Sequence, residues 1–460
     1  MKFRRWLTIG LIAMLSALAI FKLVMQDIPS SSDGSVNDFV FIYLAGNAWM
    51  DGGQPYTHES VGAESVKLFG AEEGKAYQEL DIFYPPTTFF ALIPILLLPH
   101  QIVIPAVLLI SLALYMWVVW ILAMDLTGLS RYLFLAFAIN YAPLHSGLRP
   151  RNVTVIMAGL ILIPLLKAVH DRMSSSWWFI LLGLGVAIKP QLGGAFLLIL
   201  IVMGEWKRFL VAASTVAASV VISVGWLAMH GIHWVAPLLD NLGRGPAGGN
   251  SQSTLSFVYN GEANFRLINM SPLVYLFSGN YRLSSTLPVV MAVVLFLCLV
   301  MLLWRNPEFR PGSRLVWIPV FGVVGAIALL PAYSRYYGAI FILPLFAWMW
   351  MQWHRPLLRV ALLVGTVLFS LPMPQFPVIW QAGVQYIQHP GMSLSKVSGS
   401  MTEHSFATMR PAFWQELICA LPNLFLAAVS ILLLAMIAWR RVSKEGGMEA
   451  QDLRQSEVHS

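Results

Sequence analysis

Residues 177–203 read WWFILLGLGVAIKPQLGGAFLLILIVM. The run is apolar enough for a membrane interior, but Lys189-Pro190-Gln191 interrupts it and Gly193-Gly194 follows. A lysine in mid-bilayer is costly, and proline breaks the helical hydrogen-bond ladder. The break therefore belongs at a membrane surface, where two spans of about 12–14 residues meet. Such short spans are tolerated where they line a cavity.

Composition extends that reading to the whole chain. Of 460 residues, 58% are hydrophobic and 11% charged, against roughly 25% charged in soluble domains. A soluble enzyme, a disordered chain and a fibrous one are excluded. The chain reads as an all-α polytopic membrane protein. Apolar runs lie at 6–24, 84–98, 102–124, 132–147, 152–169, 177–203, 209–229, 285–304, 315–331, 338–351, 357–371 and 417–439. The net charge of +7 is spread over short loops, so it orients the chain in the bilayer and does not signal nucleic acid. Cys298 and Cys419 both lie inside apolar runs, which argues against a disulfide framework or a thiolate metal site.

Charge placement sets the topology. If 84–98 spanned the bilayer, Arg305/Arg310/Arg314, Arg355/Arg359 and Arg440/Arg441/Lys444 would face outward. If it is re-entrant or interfacial, those clusters face the cytoplasm together with Lys167/Arg172 and Lys207/Arg208, as the positive-inside rule demands. The expectation is therefore about 12 transmembrane helices, both termini inside, in a single domain over 1–439 with a disordered cytoplasmic tail over 440–460. Residues 25–101 become a long first outer loop holding ten of the 22 acidic residues.

No acidic residue lies mid-run, which counts against an ion-coupled carrier. Polar groups gather instead at the outer edge. Asp38 precedes the apolar-aromatic stretch Phe39–Met50, with Tyr43 inside it. Its position suits a general base acting on a hydroxyl, and equally suits a helix N-cap. Tyr84-Pro85-Pro86-Thr87 fixes an extended entry into a short helix, as a plain turn or as part of a substrate cleft. Arg149 and Arg151, with Asn152, stand where arginine runs against the orientation rule; they fork onto a phosphate or snorkel. Lys189, beside Gln191, is expensive without a nearby anion. Tyr333, Arg335 and Tyr336 form a candidate phosphate or sugar contact, or an aromatic-belt anchor. No Walker loop, HExxH, GxSxG or metal-spaced His/Cys set is present, and no cofactor is called for.

These pieces in this order resemble glycosyltransferase family 87, a group of bacterial integral-membrane GT-C enzymes similar to polyprenyl-phosphate-mannose-dependent mannosyltransferases. The resemblance rests on Asp38-Phe39 through Tyr43, Gly46 and Pro55-Tyr56; on Phe83-Tyr84-Pro85-Pro86 with Leu98-Pro99; on Gly183-Leu184, Ala187 and Lys189-Pro190; and more weakly on Tyr333–Tyr337. The chain departs from the family at Pro150-Arg151-Asn152 and at Arg335-Tyr336-Tyr337. The resemblance implies a GT-C-type bundle in a bacterial inner (plasma) membrane. It implies a polyprenyl-phosphate sugar donor, a lipid or glycan acceptor, and inverting transfer of a hexose such as mannose on the periplasmic side. It places the general base at Asp38. Two readings compete: a lipid-linked glycan flippase or carrier, which calls for a charged central cavity, and an O-antigen ligase or polymerase, which calls for a late major loop such as 372–411.

Overall fold

The computed structural model describes residues 37–370 except 75–76, 78–80, 172–174, 248–269, 306–313 and 332–335, with scattered positions within 10–22 and 421–431. The expected first span, the last span at 417–439, the loop at 372–416 and the tail lie largely or wholly outside the described residues, as do Tyr333 and Arg335.

The described residues form helices and no strand. In chain order the principal ones are α1 (Asp38–Met50), α2 (His58–Phe69), α3 (Pro86–Leu96), α4 (His100–Ala123), α5 (Gly128–Ile139), α6 (Ala142–Leu148), α7 (Thr154–His170), α8 (Phe179–Ile188), α9 (Pro190–Val202) and α10 (Trp206–Met229). After them come α11 (Val235–Ala247), α12 (Ser271–Ser278), α13 (Tyr281–Arg305), α14 (Arg314–Leu329), a 3-10 helix Tyr336–Ile342, α15 (Leu343–Met351) and α16 (Pro356–Ser370). Among the described residues, three helices are long and apolar enough to cross a membrane: His100–Met124, Trp206–Met229 and Arg282–Arg305. Their outward faces leave Leu109, Val221 and Leu297 exposed. Soluble proteins hide such faces; lipid accepts them.

Among the described residues the apolar runs become helices wherever nothing interrupts them, and their internal breaks have local causes. The run 132–147 is two helices rather than one, because Pro143 has no N–H with which to continue α5. The run 84–98 yields an 11-residue helix, about 16 Å long, half the thickness of a bilayer core.

The central post is α7. It is apolar around its whole circumference and buried along nearly its full length, as a core helix must be. It packs against α4, α8 and α14. Its far end carries Lys167, whose ammonium lies 4.0 Å from the centre of the Trp178 ring. Arg208, at the start of α10, lies over Phe179 at 5.5 Å. Lys167, Arg208 and the start of α8 thus share one end of the bundle. Thr154, Asp38, Asn152 and Lys189 share the other, about 20 Å from Lys167 along α7.

The first-loop helices are fastened at this second end. Asn241, buried in α11, donates its amide to the carbonyls of Tyr56 (3.0 Å) and Ile82 (3.2 Å). Trp226 donates its indole N–H to the Trp49 carbonyl at 2.8 Å.

Candidate functional site

The site begins at the break in residues 177–203. Helix α8 ends at Ile188 and α9 starts at Pro190, with Lys189 between them at φ −142°, ψ 83°. Pro190 has no N–H, and the N–H groups of Leu192 and Gly193 turn to the Lys189 carbonyl at 3.1 and 3.0 Å. The last carbonyls of α8 need other donors, since a buried unpaired carbonyl is costly. Thr87 donates its hydroxyl to the Ala187 carbonyl at 2.7 Å, and Thr88 to the Ile188 carbonyl at 2.8 Å. Gly193 lets the two half-helices fold together: a Cβ there would lie 2.8 Å from Val186 Cα.

Lys189 is held at the apex of this break with 8% of its surface exposed. Its ammonium donates to Thr154 Oγ1 at 2.8 Å. The rings of Tyr84 and Tyr337 each stand 5.4 Å from the ammonium, a distance at which the ring faces attract a cation.

Asp38 lies on the same wall. The N-cap of α1 is Asn37, whose side chain accepts the Phe39 N–H at 3.0 Å. The Asp38 carboxylate is therefore not engaged as the cap. Its backbone N–H donates to the Pro150 carbonyl at 2.8 Å, and its Oδ2 accepts the amide of Asn152 at 2.7 Å. Asn152 Oδ1 in turn accepts the Thr154 N–H at 2.9 Å. Asp38, Asn152, Thr154 and Lys189 are thus linked, carboxylate to ammonium, through one short polar chain at the start of α7.

The two arginines divide. Arg149 is exposed on the rim. Arg151 is buried, has φ +56°, and directs its guanidinium to the carbonyls of Leu148 and Arg149. It is the one non-glycine at positive φ among the described residues. It closes the end of α6 and does not face outward. Gln191 is exposed in the first turn of α9. Tyr43 donates its hydroxyl to the Leu98 carbonyl at 2.8 Å, tying α1 to the end of α3. Tyr336 donates to the Leu368 carbonyl at 2.7 Å and stacks on Phe369, in the core; its neighbour Tyr337 is the residue that reaches Lys189. Thr88 and Thr154 were not singled out by the sequence, and Tyr337 only as the last residue of the Tyr333–Tyr337 motif. A signal exists for Thr154 alone: an Asn two residues before a helical Thr is a capping pattern.

An apolar groove of about 520 Å³ runs between α3, α8 and α10, lined by Phe90, Trp177, Ile180, Leu184, Leu210 and Ala218 among others, along the first half of α8 and away from Lys189. Its wall therefore includes the helix that ends in the buried lysine. The helical bundle has lipid-facing walls and carries a carboxylate and a caged lysine together at one rim. The model of glycosyltransferase family 87 matches residues 83–318, which is 236 of 460 residues. The chain belongs to that family and is a membrane glycosyltransferase. No curated protein and no solved structure matches it.

Proposed function

We propose that the protein transfers a hexose, mannose being the first candidate, from a polyprenyl-phosphate donor to a lipid or glycan acceptor. Transfer takes place at the outer membrane-water edge of a bacterial inner membrane and inverts the anomeric centre. The observation that carries the reading is the continuous link from Asp38 to Lys189.

In one step, Asp38 takes the proton of the acceptor hydroxyl as the acceptor oxygen bonds to the sugar's anomeric carbon. The bond from that carbon to the lipid phosphate breaks on the opposite face, and both its electrons leave with the phosphate. One carboxylate suffices for this single displacement. The phosphate departs as an anion, and a cation placed to meet it lowers the barrier. Lys189 is that cation, with Arg149 at the rim. The donor's isoprenoid tail lies in the apolar groove along α8, the helix whose far end leads to Lys189. The basic clusters at the other end of the bundle, Lys167 and Arg208 among them, support an outward-facing site through the positive-inside rule.

The test is purified full-length protein incubated with polyprenyl-phosphate-[14C]mannose and a membrane extract. Label is expected to enter the acceptor, and Asp38→Asn to slow it about 10²–10⁴-fold. Transfer from a nucleotide sugar instead would overturn the donor. Full activity of Asp38→Asn would remove the base.

A further inference from the structure

We infer that Asn152 and Thr154 are positioning residues of the transfer reaction, Asn152 aiming the Asp38 carboxylate and Thr154 seating the Lys189 ammonium. The inference rests on the reading of Asp38 as base and Lys189 as the cation for the leaving phosphate. The sequence suggests Asn152 as a substrate contact. Burial points elsewhere: Asn152 is 1% exposed and Thr154 is fully buried, so neither offers an atom to a sugar. Asp38 beside them is half-buried and can be reached.

The orientation of the Asn152 amide follows from its two neighbours. The Thr154 backbone N–H requires an acceptor and receives Oδ1 at 2.9 Å. The carboxylate requires a donor and receives Nδ2 at 2.7 Å. Reversing the amide would oppose two donors on one side and two acceptors on the other, so the group has one setting. The same residue caps the start of α7 and presents an N–H to Asp38. Thr154 serves similarly with two different groups: its N–H goes to Asn152 and its hydroxyl accepts from Lys189. The start of one buried helix thereby fixes both ends of the reaction, the group that receives the proton and the group that meets the leaving phosphate.

This dual use makes the roles separable. Asn152→Asp keeps a side chain of the same shape that still caps the helix, since aspartate is a favoured cap. It replaces the N–H facing Asp38 with a second carboxylate oxygen. Asn152→Ser also keeps a capping oxygen but is too short to reach Asp38. Thr154→Val removes the hydroxyl and retains the backbone N–H.

The experiment uses full-length protein in membrane vesicles with a membrane extract as acceptor. The donors are polyprenyl phosphates carrying [14C]mannose, glucose or galactose, and thermal unfolding is followed in parallel. Asn152→Ser is expected to unfold near the wild-type temperature, and Asn152→Asp below it, because it buries a second carboxylate against Asp38. Apparent kcat should fall about 100-fold, the scale of a misplaced catalytic group, with the donor KM within about threefold. Thr154→Val should lower kcat/KM for the donor about tenfold, the loss of one hydrogen bond to a charged group, and Thr154→Ser should recover most of it. Wild-type kcat in both Asn152 variants, with Asp38→Asn inactive, would reduce Asn152 to a cap and overturn the inference while leaving the base in place. A raised KM at unchanged kcat would make Asn152 a substrate contact and overturn it too. An active Asp38→Asn, or a wild-type protein that accepts label from none of the donors, would remove the reading beneath it. Should Asn152→Asp fail to fold, Asn152→Ser decides.

Discussion

Replacing Thr87 and Thr88 by valine tests whether the break at Lys189 is held open from outside its own sequence. Pro190 brings no N–H, and the Leu192 and Gly193 N–H groups bond back to Lys189. The carbonyls of Ala187 and Ile188 consequently depend on the two threonine hydroxyls, a hundred residues earlier in the chain. Both threonines are buried, Thr88 completely, so water does not replace the lost donors. Valine matches threonine in shape, and the change removes little besides the hydrogen bond. A buried carbonyl stripped of its donor costs about 1–3 kcal/mol. The two sites are adjacent and need not add, so the double variant is expected to lose about 2–4 kcal/mol. It should also lose activity, since a shift of about 1 Å at the Lys189 backbone costs on the order of 100-fold in rate. Thermal unfolding in detergent and initial transfer rates read the two effects, and Thr→Ser at both positions should largely restore each. Wild-type stability in Thr87→Val/Thr88→Val would refute the capping argument. Lowered stability with unchanged kcat/KM would refute the link from the break to the lysine's placement.

The two arginines of the loop after α6 should separate in the same assays. Arg149→Ala, at an exposed position, is expected to leave the unfolding temperature unchanged and to raise the donor KM several-fold, whereas Arg151→Ala should destabilise the fold by about 1–3 kcal/mol by stripping carbonyls of a charged donor. Gly183→Ala should lower stability and slow transfer, because the added Cβ would lie 2.5 Å from Thr215 Cβ and 2.6 Å from the Ala212 carbonyl oxygen and would force α8 from α10; Gly194→Ala, where a Cβ meets nothing within 4 Å, is the control for thermal stability. Leu184→Trp fills the apolar groove, and is expected to raise the KM for a long-chain polyprenyl donor more than for a short-chain one, measured by comparing donors of different isoprenoid length.

Some of this site is legible in the sequence because it violates a local rule. A lysine followed by proline inside an apolar run must be explained, and it stands where α8 ends. Asn152 and Asp38 stand out as polar residues beside apolar stretches, and the structure brings them together at 2.7 Å. What the sequence hides is direction. Asn37 and Asp38 are adjacent and both able to cap a helix, yet one caps and the other faces Asn152. Arg149 and Arg151 carry the same charge two residues apart, but the left-handed backbone at Arg151 turns its guanidinium inward. Tyr336 and Tyr337 are consecutive on a 3-10 helix, so one enters the core and the other reaches Lys189. The threonine caps lay beyond any local reading, because their partners come from a distant turn of chain. Tyr43, prominent in the motif around Asp38, anchors α1 to Leu98.

The family match covers residues 83–318 and so includes Lys189, Asn152 and Thr154, but not Asp38. At Asp38 itself, the link across that boundary is the loop Leu148–Asn152. It accepts the Asp38 N–H at Pro150 and holds the Asp38 carboxylate at Asn152, so α1 is fixed by main chain and side chain at once. A carboxylate tethered in that way is coupled to the lysine, because both are tied to Thr154, by its N–H through Asn152 and by its hydroxyl directly. Displacing the start of α7 would move the carboxylate and the ammonium together and spare their separation; cutting either tie would change the separation itself. In an in-line displacement the proton acceptor and the phosphate-binding cation work on opposite sides of one carbon, so their separation is the quantity that must be preserved.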